Sequence, residues 1–64
     1  MKNQEIQSYS IEELEQRIAV ERENLTRLKF AHAISPIENP MKIRETRRLI
    51  ARLKTQLSIK QREN

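Results

Sequence analysis

Two prolines near the middle of the chain, Pro36 and Pro40, are the residues most able to interrupt a helix. The 64 residues include no glycine that could do the same. Proline ends a helix that approaches it and fits well in the first turn of the next helix. On both sides of residues 35–39, apolar residues recur at the three- and four-residue spacing of amphipathic helices. The sequence therefore predicts two long helices with one connection between them.

The first long helix is predicted over residues 10–34, and its start is well marked. Ser10 and Glu13 have the spacing of a capping box. Tyr9 and Leu14 stand where the two residues of a hydrophobic staple would stand. The apolar stripe of this helix consists of Ile11, Leu14, Ile18, Leu25 and Leu28, with Glu21 interrupting it.

The second helix is predicted over residues 40–60. Asn39 is a preferred N-cap residue and Pro40 a preferred first residue. Its stripe consists of Ile43, Thr46, Ile50, Leu53 and Leu57, supported by Leu49. Two amphipathic helices joined by a short loop pack antiparallel. Residues 1–64 are therefore predicted to form a single all-α domain, a long, coiled-coil-like two-helix hairpin, and a short turn of helix around residues 2–7 is compatible with the sequence.

With the loop centred near Ile37, the predicted register places three pairs of stripe residues side by side. These pairs are Ile18 with Leu57, Leu25 with Ile50, and Leu28 with Thr46.

Charge is distributed unevenly along the chain. Residues 1–39 carry a net charge of −2 and residues 40–64 a net charge of +6, which gives the chain its +4. On a helical wheel the apolar stripe of the second helix covers about 140° to 260°, and the cations cover about 280° to 80°. The cations on this side, called the basic face below, are Arg44, Arg47, Arg48, Arg52 and Lys54.

The basic face has a plain interpretation, that of a solvated surface that keeps the helix soluble. Two features favour a polyanion instead. Glu45 is the only acid between Pro40 and Glu63, so like charges repel along the helix. Four of the five cations are arginine, whose planar guanidinium suits phosphate. We therefore favour contact with nucleic acid. The alternatives are a coiled-coil adaptor that binds an acidic protein and a small DNA-binding hairpin.

Four further residues are candidates for contacts. Lys42, like Arg44, lies in the first turns of the second helix, where a cation opposes the helix dipole. A phosphate near residues 39–42 would relieve this repulsion. The alternative is that the helix tolerates the repulsion. Phe30 lies off the apolar stripe. It can stack on a base, pack on a partner protein, or cover the loop beside Ile34. His32 can face RNA or the hairpin interior, and Asn39 borders the phosphate position.

Several classes of function lack the residues they need. The chain has no cysteine, no aspartate and one histidine, so we expect no disulfide, metal or cofactor. It has no glycine-rich phosphate loop and no paired nucleophile and base, so we expect no enzyme and no small-molecule substrate. No apolar run reaches the ~20 residues of a membrane span. No signal peptide is visible at the N-terminus. These features together predict a cytoplasmic protein with no membrane contact.

The segments that carry most of this information resemble the large-subunit ribosomal protein family numbered twenty-nine, of the bacterial type. The shared pattern is Ser-x-Glu-Glu-Leu at 10–14, Leu-x-Phe at 28–30, Ile-x-Asn-Pro at 37–40, and the basic run at 43–52. The chain departs from many members at Ser35-Pro36, where they have Gly-Gln.

The resemblance implies a structural component of the large ribosomal subunit, bound to ribosomal RNA near the exit of the peptide tunnel. It also implies contact with the ribosomal protein numbered twenty-three and proximity to factors that receive nascent chains. The RNA-facing positions of the family carry over to Lys42, Arg44, Arg47, Arg48 and Arg52.

Overall fold

The computed structural model describes residues 3–36 and 40–63, which form three helices. A short helix α1 (Asn3–Gln7) precedes two long ones, α2 (Ile11–Ile34) and α3 (Met41–Glu63). The molecule is elongated, 44 Å by 18 Å by 15 Å. The predicted all-α hairpin is confirmed, including the short helical turn near the N-terminus.

The start of α2 is capped as the sequence predicts. Ser10 is the N-cap residue, with extended backbone angles, and its hydroxyl accepts a hydrogen bond from the Glu13 backbone N–H at 3.2 Å. The same hydroxyl lies 3.3 Å from a carboxylate oxygen of Glu13, to which it donates. This cap fixes the point at which the chain turns from α1 into α2.

At its other end, α2 stops before Pro36. Ser35 has φ −134° and ψ 89°, outside the helical region, and its N–H bonds to the carbonyl of Ala31 at 2.9 Å. The ring of a following proline disfavours the helical conformation for the residue before it. No described residue has a positive φ. The backbone at Ser35 therefore needs no glycine.

The second long helix begins at Met41, one residue after the predicted start, and the Pro40 carbonyl accepts a hydrogen bond from Arg44 N at 3.3 Å. Asn39, the predicted N-cap, lies outside the described residues. The helix continues to Glu63, three residues beyond the predicted end. Lys60 and Arg62 stand in its last turn, where cations complement the helix dipole.

The two long helices pack antiparallel along their apolar stripes. Ile18 and Leu57 line one depression of the seam, and Leu28 and Thr46 line another, which agrees with two of the three predicted pairs. Thr46 is buried in this apolar seam at 8% exposure. Its hydroxyl donates to the Lys42 carbonyl at 2.8 Å, which satisfies its hydrogen-bonding need within the helix.

The core is concentrated at the end of the hairpin that carries α1. The buried cluster there consists of Ile6, Leu14, Ile18 and Leu53, with Tyr9, Leu49 and Leu57 packed against it. Leu14 and Leu53 are fully buried. Ile6 is 2% exposed, so α1 adds a third wall to this part of the core. The short helix therefore stabilises the hairpin at its open end.

Candidate nucleic-acid interface

The buried residues of α3 fix the direction in which its cations point. Ile43, Thr46, Ile50 and Leu53 are all buried against the rest of the hairpin. The basic face lies on the opposite side of the same helix, since helical residues keep fixed angular positions. All five of its side chains are exposed. The hairpin therefore presents this face outward.

The three arginines at four-residue spacing form the axis of the basic face. Arg44, Arg48 and Arg52 follow one another at a rise of roughly 6 Å per step along α3. Glu45, the acid nearest to them in sequence, lines a depression at the seam together with Asn24 and Leu28 of α2. The acid is thus displaced toward α2, and the arginine row keeps its positive character.

The two predicted lysines lie at the margins of this surface. Lys42 is exposed but borders the same depression as Asn24 and Leu28, on the side of α3 that turns toward α2. Lys54 is also exposed and lines the depression on the opposite side of the seam, beside Ile18 and Arg22. The structure therefore brings the four arginines together, with Lys54 at one edge and Lys42 apart from them.

One feature of the interface was not predicted from the sequence. The residues of α1 lie beside the far end of the basic face, where Ile6 and Gln7 border a cleft with Arg52. The remaining lining residues are Ala51, Thr55 and Gln56 of α3. The available signal was an isolated apolar residue, Ile6, followed four residues later by the N-cap Ser10. Periodicity could not detect it, because α1 is only five residues long.

The other candidate contact residues have different environments. Phe30 is 68% exposed, and Ile34, one helical turn later, is also 68% exposed. Both lie on the side of α2 that faces away from its buried residues Leu14 and Ile18. His32 is half-buried in the last turn of α2. Asn39 lies outside the described residues.

The arrangement can bind an extended anion by charge and by hydrogen bonding. Guanidinium groups remain charged at any physiological pH and offer paired donors to phosphate oxygens. Within residues 3–36 and 40–63, no group of side chains has the composition of a metal site. None of the three described helices combines the length and apolar character needed to cross a bilayer. The exposed arginine row is suited to phosphate by its charge and by its paired donors.

Comparison with known proteins identifies the family. The sequence pattern of the ribosomal L29 protein family matches residues 4–60, which is most of the chain. The chain belongs to the ribosomal L29 protein family. No solved structure matches it significantly.

Relatives of the ribosomal L29 family support the assignment over nearly the full length of the chain. The proteins named large ribosomal subunit protein uL29 from Amoebophilus asiaticus and Cytophaga hutchinsonii are each 65% identical over 60 residues, covering 94% of this chain and 97% of theirs. The protein of that name from Rubrobacter xylanophilus is 44% identical over 63 residues, covering 98% of this chain and 94% of its own. The predicted resemblance is therefore confirmed.

Membership of the ribosomal L29 family determines the broad role of the chain. It is a structural constituent of the ribosome and not an enzyme. It is a ribosome-bound protein of the cytoplasm. The prediction that the chain is not an enzyme is confirmed by this membership.

Proposed function

We propose that the chain binds ribosomal RNA of the large subunit through the basic face of α3. The observation that carries the proposal is the burial of the opposite side of the helix, which leaves the cations Arg44, Arg47, Arg48, Arg52 and Lys54 exposed together. A partner with closely spaced phosphates is complementary to such a surface. Lys42 adds a contact at the start of the helix, beside the basic face.

The electrostatic part of this binding has a measurable salt dependence. If about five phosphates are contacted, the log–log slope of affinity against salt is roughly −4. Fluorescence titration of the purified chain with large-subunit ribosomal RNA, at several salt concentrations, measures this slope.

A triple variant tests the role of the arginine row. Replacing Arg44, Arg48 and Arg52 by glutamine removes three phosphate contacts, so affinity falls by at least about tenfold and the slope becomes shallower by about 2 to 3. Circular dichroism stays nearly unchanged, because the substituted side chains are exposed and glutamine is a good helix former.

The matched control removes the same charge from the other helix. Arg22, Arg27 and Lys29 are exposed on α2, and their replacement by glutamine is expected to change RNA affinity far less. Equal losses of RNA affinity in the two variants would mean that RNA is attracted by the positive charge of the chain in general and not by the basic face. Association with large ribosomal particles that survives both RNase and high salt would favour the adaptor that binds an acidic protein.

The proposed location is near the exit of the peptide tunnel, beside the ribosomal protein numbered twenty-three and close to factors that receive nascent chains. The family resemblance of the run from Asn39 to Arg52 supports this position. The exposed pair Phe30 and Ile34 supports contact with a protein, since it lies on the side of the hairpin away from α3. An exposed apolar pair of this kind suits a protein neighbour.

Crosslinking from this pair tests the proposed neighbour. A photoreactive amino acid at position 30, in the chain assembled into large subunits, is expected to crosslink to the protein numbered twenty-three. The same amino acid at position 48, in the basic face, is expected to crosslink to RNA. Crosslinks from position 30 to RNA alone would contradict the protein contact.

A further inference from the structure

A cleft lies between α1 and the outer side of α3, at the far end of the basic face. Its volume is about 340 Å³. Its lining combines two apolar residues, Ile6 and Ala51, with the amide side chains of Gln7 and Gln56. An open cleft that offers apolar surface beside amide groups is suited to a small planar ligand.

The cleft and the basic face share one residue, Arg52. Arg52 is the last arginine of the row that begins at Arg44, and it also lines the cleft. Ala51 and Thr55 lie on the same side of α3 as Arg44, so the cleft opens in the direction in which the basic face points. An RNA strand on that face passes the mouth of the cleft.

We propose that this cleft binds one unpaired nucleotide of ribosomal RNA, with its phosphate on Arg52 and its base between α1 and α3. The proposal rests on the proposed function of the basic face and extends it from phosphate contact to base contact. RNA is commonly recognised at unstacked bases whose edges are free to form hydrogen bonds.

The side chains of the cleft favour a base over a second phosphate. Gln7 and Gln56 each offer both donors and an acceptor, which match the mixed edge of a base, whereas a phosphate oxygen accepts only. The hydroxyl of Thr55 already donates to the Ala51 carbonyl at 2.9 Å, so it can only accept from a ligand. Among the described residues that line the cleft, Arg52 is the single cation.

The experiment compares two glutamine pairs of equal chemistry. Replacing Gln7 and Gln56 by alanine removes the proposed base contacts without changing charge. Gln16 and Gln61 are exposed elsewhere on the hairpin and provide the control pair. The probe is large-subunit ribosomal RNA, assayed by titration and by chemical modification of unpaired adenine N1 and cytosine N3.

The expected result is specific to the cleft pair. The Gln7/Gln56 alanine variant binds the RNA about tenfold more weakly with an unchanged salt slope, and one base that the original chain protects becomes reactive. The control pair changes neither property. Ala51→Met, which fills the cleft from the exposed side of α3, produces the same loss of base protection with the fold retained.

Two outcomes overturn the proposal in different ways. If the Gln7/Gln56 pair and Ala51→Met both leave base protection unchanged while Arg44→Gln/Arg48→Gln weakens binding, the cleft takes no base and the basic face still binds RNA. If Arg44→Gln/Arg48→Gln also leaves binding unchanged, both proposals fail. Amide hydrogen exchange in residues 3–9 verifies that α1 remains docked in each variant.

Discussion

The ammonium group of Lys60, near the end of α3, donates a hydrogen bond to the backbone carbonyl of Tyr9, which lies between α1 and α2. The two residues are 51 positions apart in sequence. The Tyr9 ring also lies under the guanidinium of Arg17, whose Cζ is 4.8 Å from the ring centroid. One residue, Tyr9, therefore connects all three helices at the open end of the hairpin.

Replacing Lys60 by glutamine is expected to loosen this connection. The loss of a charged donor to a carbonyl costs about 1 kcal/mol in the free energy of unfolding. Hydrogen exchange of the amides in residues 3–9 rises, because α1 is held by few other contacts. Arg62→Gln, an equal charge change in the same turn of α3, is the control. Identical exchange in both variants would show that the Lys60 bond does not hold α1.

Leu53 is the residue whose truncation is expected to cost most stability. It is fully buried in the cluster with Ile6, Leu14 and Ile18. Leu53→Ala costs about 2–5 kcal/mol, a large part of the stability of so small a domain. Urea denaturation followed by circular dichroism measures the change. Leu57→Ala, at a half-buried position, is expected to cost clearly less.

Removing the N-cap hydroxyl is expected to destabilise α2 from its start. Ser10→Ala leaves the Glu13 N–H without its side-chain acceptor and costs about 1 kcal/mol in the free energy of unfolding. Ser10→Asp keeps an acceptor at the cap and is expected to retain most of the stability. Thermal unfolding distinguishes the two. An equal loss in both would mean that the cap contributes little.

Phe30→Ala is expected to leave the isolated chain nearly unchanged. The side chain is 68% exposed, so truncation changes the free energy of unfolding by no more than about 0.5 kcal/mol. Its effect appears instead in assembly, as weaker retention on washed large subunits. A loss of several kcal/mol in the free chain would show that Phe30 covers the loop, the third interpretation of this residue.

The long helices could be predicted because each carries its own local signals. Ser10 marks one start, Pro36 and Pro40 bound the connection, and the stripes of α2 and α3 repeat often enough to establish a helical period. The direction of the basic face followed from the same periodicity. These properties depend on residues close together in sequence.

The position of α1 could not be predicted in the same way. It is determined by contacts between residues far apart in sequence, namely Ile6 with the Leu53 cluster and Lys60 with Tyr9. A five-residue helix has too few turns for a periodic pattern. The cleft beside Arg52 depends on this docking, so it became visible only in three dimensions. Its residues Gln7 and Gln56 carry no sequence motif.

The uneven core has a mechanical consequence for assembly. Along α2, Leu14 at the α1 end is fully buried, whereas Leu25 and Leu28 toward the prolines are only half-buried, although Ile43 of α3 is buried there. Local opening requires least free energy where few apolar contacts are lost. We therefore expect α2 to open more readily around Leu25 and Leu28 than around Leu14. If the basic face binds RNA as proposed, its Arg52 end meets the RNA as a preformed surface, whereas the segment of α2 around Leu25 and Leu28 can adjust to its neighbours.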